Sequence, residues 1–294
     1  MTAVSTILTD VAYDLKLTSA QQTSRQAELI SYMNRIIRNG IMPTFVRFES
    51  DYGMKDWITT ETTAYLQAYS LPSDFVSFYA LYCIEKTHSG TLASAASATS
   101  VTLDSDASDS DDDYNGEFLR LTSGTYADQQ AQILDYDGDT VTASLGTGLS
   151  GTPSTDTFMI FECPSDDNEL GQLSVGDLLK DYSSTGDPEK YALDRNTNIL
   201  LGNIPDDANH VLWGKYFYLP TLLDATDDTL PYDEIFDEII RQYVSIIGMN
   251  RDEYDVKFEA AVYTAIQNDV ISIMRTRNGR SPSVVQSKIY GSND

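Results

Sequence analysis

The chain has 294 residues, of which 45 are acidic and 19 basic, a formal charge of −26; 41% are hydrophobic and 11% aromatic, with 19 tyrosines. That apolar and aromatic share excludes a disordered chain and suffices for one large domain or two modest ones. The charge disfavours binding to nucleic acid or to anionic membranes over most of the surface.

Met1 to Asp10 has no positive region and no long apolar stretch, so no signal peptide is expected and synthesis in a cytoplasm is. No apolar run reaches the roughly 18 residues of a membrane span, so no membrane partner is expected either. Val4, Ile7, Leu8, Val11 and Leu15 keep helical spacing, as do Leu29, Met33, Ile36 and Ile37, with Asn39-Gly40 as a stop. Residues 44–86 read as short strand-like pieces, Phe45 to Phe48 and Thr63 to Leu66, followed by the apolar run Val76 to Ile84.

At about Thr87 the composition changes. Residues 87–163 hold thirteen acids, one base, Arg120, and abundant Ser, Thr and Gly. Ser100–Leu103, Gly116–Leu121, Gln132–Tyr136 and Thr140–Leu145 alternate with period two, and Asp137-Gly138 between the last two predicts a hairpin with a type I′ turn. The segment is expected to be an acidic all-β domain inserted in a larger one. Cys83 and Cys163, near its two ends, are the only cysteines and read as buried free thiols that can lie near each other.

After Pro164 three strands are predicted, around Tyr191–Leu193, Ile199–Leu201 and Val211–Tyr218. Two amphipathic helices follow, on Ile235, Phe236, Ile239, Ile240, Tyr243, Ile246 and Ile247, and on Phe258, Ala261, Val262, Ala265, Ile266, Val270 and Ile273. The expected domains are a discontinuous body of 1–86 with 164–277, the insert 87–163, and an extended tail 278–294 that is basic where the body is acidic.

Catalytic and metal motifs fail in context. Gly146-Thr147-Gly148-Leu149-Ser150-Gly151 matches a dinucleotide fingerprint, but Thr152 to Asp156 cannot open the required helix, so a glycine-rich turn is expected. Asp111, Asp113 and Asn115 with Gly116 resemble the start of a calcium loop, yet position 12 is Thr122 rather than Glu; a solvated acidic turn is the expected reading and calcium the weaker one. His88 and His210 stand alone, without a third His or a Cys pair for zinc. No nucleophile elbow is present. Neither a cofactor nor an enzymatic activity is expected.

One ordered series of motifs is more specific. Leu71-Pro72-Ser73-Asp74-Phe75 comes first, then Gly186-Asp187-Pro188-Glu189-Lys190-Tyr191-Ala192-Leu193 and Ile199-Leu200-Leu201-Gly202. Tyr216-Phe217-Tyr218-Leu219-Pro220 and Leu230-Pro231-Tyr232-Asp233-Glu234-Ile235 complete it. In order and spacing, across most of the chain outside the insert, the series resembles the head-to-tail adaptor family of tailed bacteriophages. The insert, with Tyr114-x-Gly116, Gly124-Thr125, Gln129-Gln130, the Tyr136-Asp137-Gly138 turn and Thr152-Pro153, is similar to small β modules on phage structural proteins.

The resemblance implies an α+β fold: a mainly α-helical adaptor body with a few short strands, carrying the inserted β domain. It implies a structural protein of the virion neck, made in the bacterial host cytoplasm, that forms a ring of twelve copies, matching the portal above it. The tail would hold the portal, with Arg275, Arg277, Arg280, Val284, Val285, Lys288, Ile289 and Tyr290 as interface candidates. Tail or nozzle proteins would meet the distal face, and genomic DNA would pass an acidic lumen without specific binding. The alternative from another class is a virion-associated decoration module whose acidic β domain recognises a glycan or a protein.

Overall fold

The structure, a computed structural model, describes residues 1–58, 61–195 and 197–251 and positions 257, 261, 263, 264, 267, 268, 271 and 272. By backbone contacts the chain divides into Met1–Lys55 with Phe217–Asp294, and Asp56–Tyr216. The divisions fall inside two strands, β1 (Met54–Ile58) and β13 (His210–Tyr218).

The first unit is helical. Thr18 caps α2 (Ser19–Ile36) through a capping box with Gln21, satisfying two of the orphan donors of its first turn. α1 (Val4–Asp14) buries Val4, Ile7, Leu8 and Val11, while α2 buries Leu29, Ile30, Met33 and Ile36. Asn39-Gly40 does not stop the helix. The chain continues through a π turn, Ile37–Ile41, directly into α3 (Met42–Phe48). Phe45 to Phe48, expected as a strand, is therefore helical. Ile37, Ile41 and Phe45 recur at four-residue spacing and hold one buried face through the glycine. Fully buried Phe45 meets Tyr232 and Phe236 edge to face at 4.8 and 5.0 Å. Such offset geometry adds to the burial of both rings. A 3₁₀ turn, Glu234–Phe236, opens α5 (Asp237–Arg251), which covers the stripe expected on Ile235 to Ile247. Of the second stripe, Phe258, Val262, Ala265, Ile266, Val270 and Ile273 lie outside the described residues, and Ala261 is helical and exposed.

The second unit is built of strands. A nine-stranded sheet runs in the order β1-β13-β3-β9-β6-β7-β8-β5-β4, with β3 Phe75–Thr91, β4 Ser94–Ser97, β5 Ser100–Thr102, β6 Phe118–Leu121, β7 Gln130–Asp137, β8 Thr142–Leu145 and β9 Thr157–Phe161. A second sheet has the order β10-β11-β12-β2, from β10 Gly171–Leu173, β11 Lys190–Asp194, β12 Asn198–Gly202 and β2 Ala68–Ser70, accompanied by α4 (Val175–Asp181). The expectation of a mainly α-helical body with a few short strands is thus overturned: the molecule is mostly β. The helical stripes of α1, α2 and α5 are real, but between α3 and α5 the described chain is organised by thirteen strands in two sheets.

The seventeen-residue β3 runs through position 87, where the composition changes. Its alternation of exposed and half-buried residues continues from Glu85 to Thr91, so the shift marks a change of surface and not a break in the strand. Leu92, Val101, Leu119, Ile133, Tyr136, Ala143, Phe158 and Ile160 close a core drawn entirely from residues 92–160. On β9, Met159 and Phe161 instead pack with Ile84 and Val211. A separate core under the small sheet joins Tyr69, Leu81, Leu170, Tyr191, Ile199, Leu201 and Leu212.

The Asp137-Gly138 hairpin forms between β7 and β8, but not with the expected turn. The positive φ there falls on Val141 (45°), and Gly138 is not among the residues with positive φ. Glycine is needed at 138 because a Cβ would collide with the backbone of Asp109 and Ser110, and its N–H donates to Asp111 Oδ1 at 2.9 Å. Thr63–Leu66, expected as a strand, is a turn.

Candidate functional site

Chemically active side chains gather in one place within residues 56–216, a cleft of about 520 Å³. Cys83 and Glu85 come from β3, Glu162, Asp167 and Glu169 from the chain after β9, Asp187, Glu189 and Lys190 from the approach to β11, and His210 from the start of β13. These segments converge because Leu170 N–H donates to Leu81 O and Glu189 N–H to Gly202 O, tying the small sheet to β3.

Carboxylates dominate the cleft, with Lys190 and His210 as its only basic lining residues among those described. His210 Nε2 lies 3.6 Å from Asp187 Oδ1, and Nδ1 lies 3.5 Å from Asp207 Oδ1. Nδ1 has no hydrogen-bond partner among the described residues. Burial pushes the Cys83 thiol up to about 12, helped by the charges of Asp187 and Asp207. A thiol held neutral in this way is a poor nucleophile. The cleft can concentrate cations. Among the described residues no group of three His, Cys, Asp or Glu is set to hold a metal.

The sequence candidates are scattered. Asp111, Asp113 and Asn115 lie in a turn whose polar groups serve each other: Asn115 Nδ2 donates to Asp112 Oδ1 at 2.6 Å and Asp111 takes the Gly138 N–H. Tyr114, between them, is buried against Tyr136. Gly146 to Gly151 forms a loop closed by Gln129 and Ser150, and the next element is the strand β9 rather than a helix. His88 pairs with Asp104 at 2.9 Å beside the rings of Tyr114 and Phe158. Both cysteines are free; Cys83 is half-buried, but Cys163 is exposed, against expectation. It follows β9 at the point where the chain leaves the sheet. The portal candidates Arg275, Arg277, Arg280, Val284, Val285, Lys288, Ile289 and Tyr290 lie outside the described residues.

Two features carried no local signal. The cleft draws on four distant segments with no motif spacing. Arg120, the single base of the insert, is buried on β6 with its Nε and Nη1 unpartnered among the described residues, while Nη2 donates to Asp128 at 2.6 Å. Its registered neighbour on β7, Gln130, has an equally unpartnered Oε1. No family model matches the chain, and no curated protein matches it. Fold and site together therefore define a class only: a mostly β protein with a helical unit and an acidic cleft.

Proposed function

We propose that the chain is a non-enzymatic structural component of a tailed-bacteriophage virion, a head-to-tail adaptor that assembles as a ring under the portal. The ordered motif series from Leu71 to Ile235 carries this reading. Its residues supply buried positions in both units, among them Phe75, Tyr191, Ala192, Leu201, Leu230 and Tyr232, as expected of a signature spent on architecture rather than on catalysis. The neutral Cys83 thiol agrees with a cleft that does no nucleophilic chemistry. Net charge of −26 suits a bore past which DNA slides. In this reading the basic segment from Arg275 onward engages the portal, and tail or nozzle proteins meet the distal face.

Native mass spectrometry of the full chain tests the reading. A closed species near twelve times the 32.6 kDa subunit mass is expected, and a monomer at every concentration would sink it. A second reading, a decoration module, is favoured by one observation, the self-contained core of residues 92–160. It requires a monomer that binds a glycan or a virion protein through that segment.

A further inference from the structure

In a chain with 45 acids, the segments between consecutive acids hold three or more bases in only two places. One is 29–48, between Glu28 and Glu49, with Arg35, Arg38 and Arg47. The other is 270–293, between Asp269 and Asp294, with Arg275, Arg277, Arg280 and Lys288. A groove of about 620 Å³ in the first unit brings residues of the two together. Asn39 and Arg47 line it from the π turn and α3, Gln267 and Asn268 from the approach to the second segment, and Ser272 from its start. Among the described residues no acid lines it.

Arg47 is exposed and pairs with no carboxylate among the described residues. Its guanidinium lies over the Phe48 ring, 5.5 Å from the centroid, a cation–π contact that restrains the side chain and leaves its N–H groups to a ligand. Arg38, nine residues earlier, is instead occupied by Pro220 O. Asn39, Gln267 and Asn268 add carboxamides, each with two N–H donors. Arg, Asn and Gln are the donors that hold phosphate oxygens in contacts between proteins and nucleic acids. Carboxylates on a peptide would favour several Arg forks, and the groove presents one; phosphate contacts draw on neutral amides as well. We propose that this groove holds the phosphate backbone of nucleic acid whatever its base sequence, with Arg47 as the cation and Asn39, Gln267 and Asn268 as neutral donors. The acidic remainder of the surface repels DNA, so the contact is weak and sensitive to salt. It stands apart from the ring reading, because it concerns one subunit.

Fluorescence anisotropy of a labelled DNA duplex, titrated with the full chain at low salt, tests it. Binding is expected that is equal for duplexes of different base sequence and falls as salt rises. Arg47→Gln should reduce the slope of log affinity against log salt by about 1. Arg47→Glu should weaken binding about tenfold or more. Arg195→Glu, the same change of charge at an exposed arginine of the β unit, should weaken it less than about twofold. Melting curves should place all three variants within a few degrees of the parent, since both side chains are exposed. Equal losses in Arg47→Glu and Arg195→Glu would assign the effect to bulk charge and overturn the proposal. So would an absence of binding at low salt, or tighter binding of labelled polyglutamate, which would make the occupant an acidic polypeptide.

Discussion

The two units use their acids differently. Residues 1–55 with 217–294 carry 18 acids against 13 bases, a net −5, whereas residues 56–216 carry 27 against 6, a net −21. In the helical unit the acids meet guanidinium groups. Arg241 pairs with Glu238 and, at 2.6 Å, with Asp14, which also accepts from Ser245 Oγ; Arg25 pairs with Glu28. In the β unit 21 of the 27 acids are Asp, and several accept backbone N–H groups in turns. Asp104 takes those of Thr91 and Asp106, Asp137 that of Thr140, Asp156 that of Ser154 and Asp207 that of Asn209. Short aspartate side chains stabilise turns in this way without a counter-cation. The negative charge falls mainly on this one unit, and part of it serves turns between short strands.

The largest effects should come from cores that belong to one unit each. Phe45→Ala opens the aromatic cluster of the helical unit and is expected to cost about 3–5 kcal/mol, and Leu119→Ala in the β core about 2–5 kcal/mol. Hydrogen exchange resolved by peptide should show each loss of protection in its own unit. Equal loss in both would merge the two units into one cooperative body.

Arg120 sharpens the contrast, as a guanidinium in a unit that otherwise builds with aspartate. Asp128→Ala leaves it buried without its partner and should destabilise by about 1 kcal/mol, the low end because Asp128 is 81% exposed. Arg120→Met removes the unpartnered Nε and Nη1 as well and should be close to neutral or stabilising. Denaturant midpoints compare the two variants, and a larger loss for Arg120→Met would contradict this account.

Acid titration should move the two units in opposite directions through one glutamate in each. The hydrogen bond from Arg241 lowers Glu238, so its stabilisation is present above the ordinary glutamate range and is lost as pH falls through the lowered value. Burial raises Glu117, with the charges of Glu162, Asp113 and Glu85 adding, so its favourable contribution is present below the ordinary range and lost as pH rises through the raised value. Glu238→Gln should therefore destabilise at neutral pH and Glu117→Gln stabilise, with both differences fading in acid. Melting curves across pH check both signs.

The smallest effect is screening. Shortening the Debye length to about 3 Å with salt should raise protection in the β unit more than in the helical one, because self-repulsion scales with the charge each unit carries. An equal response would mean that the turn aspartates are already neutralised locally.

Much of the element list was legible in the residues. The stripes of α1, α2 and α5, the alternating strands β5 to β8 and the run β11 to β13 all lie where periodicity places them, because side-chain period is a property of a few consecutive residues. The same reasoning mistook Phe45 to Phe48 for a strand and Asn39-Gly40 for a stop, since what keeps that stretch helical is the contact of Phe45 with Tyr232 and Phe236, nearly two hundred residues away. It also found the right hairpin for the wrong reason, because Gly138 answers to the backbone of Asp109 and not to its own turn. Only the tertiary structure decided that β9 lies between β3 and β6, that thirteen strands organise the middle of the chain into sheets of nine and four, and that acids from four distant segments meet around Cys83 and His210. Strand order and cleft geometry are set by packing between residues far apart in the chain, and a local period carries no record of which strand another will choose as its neighbour.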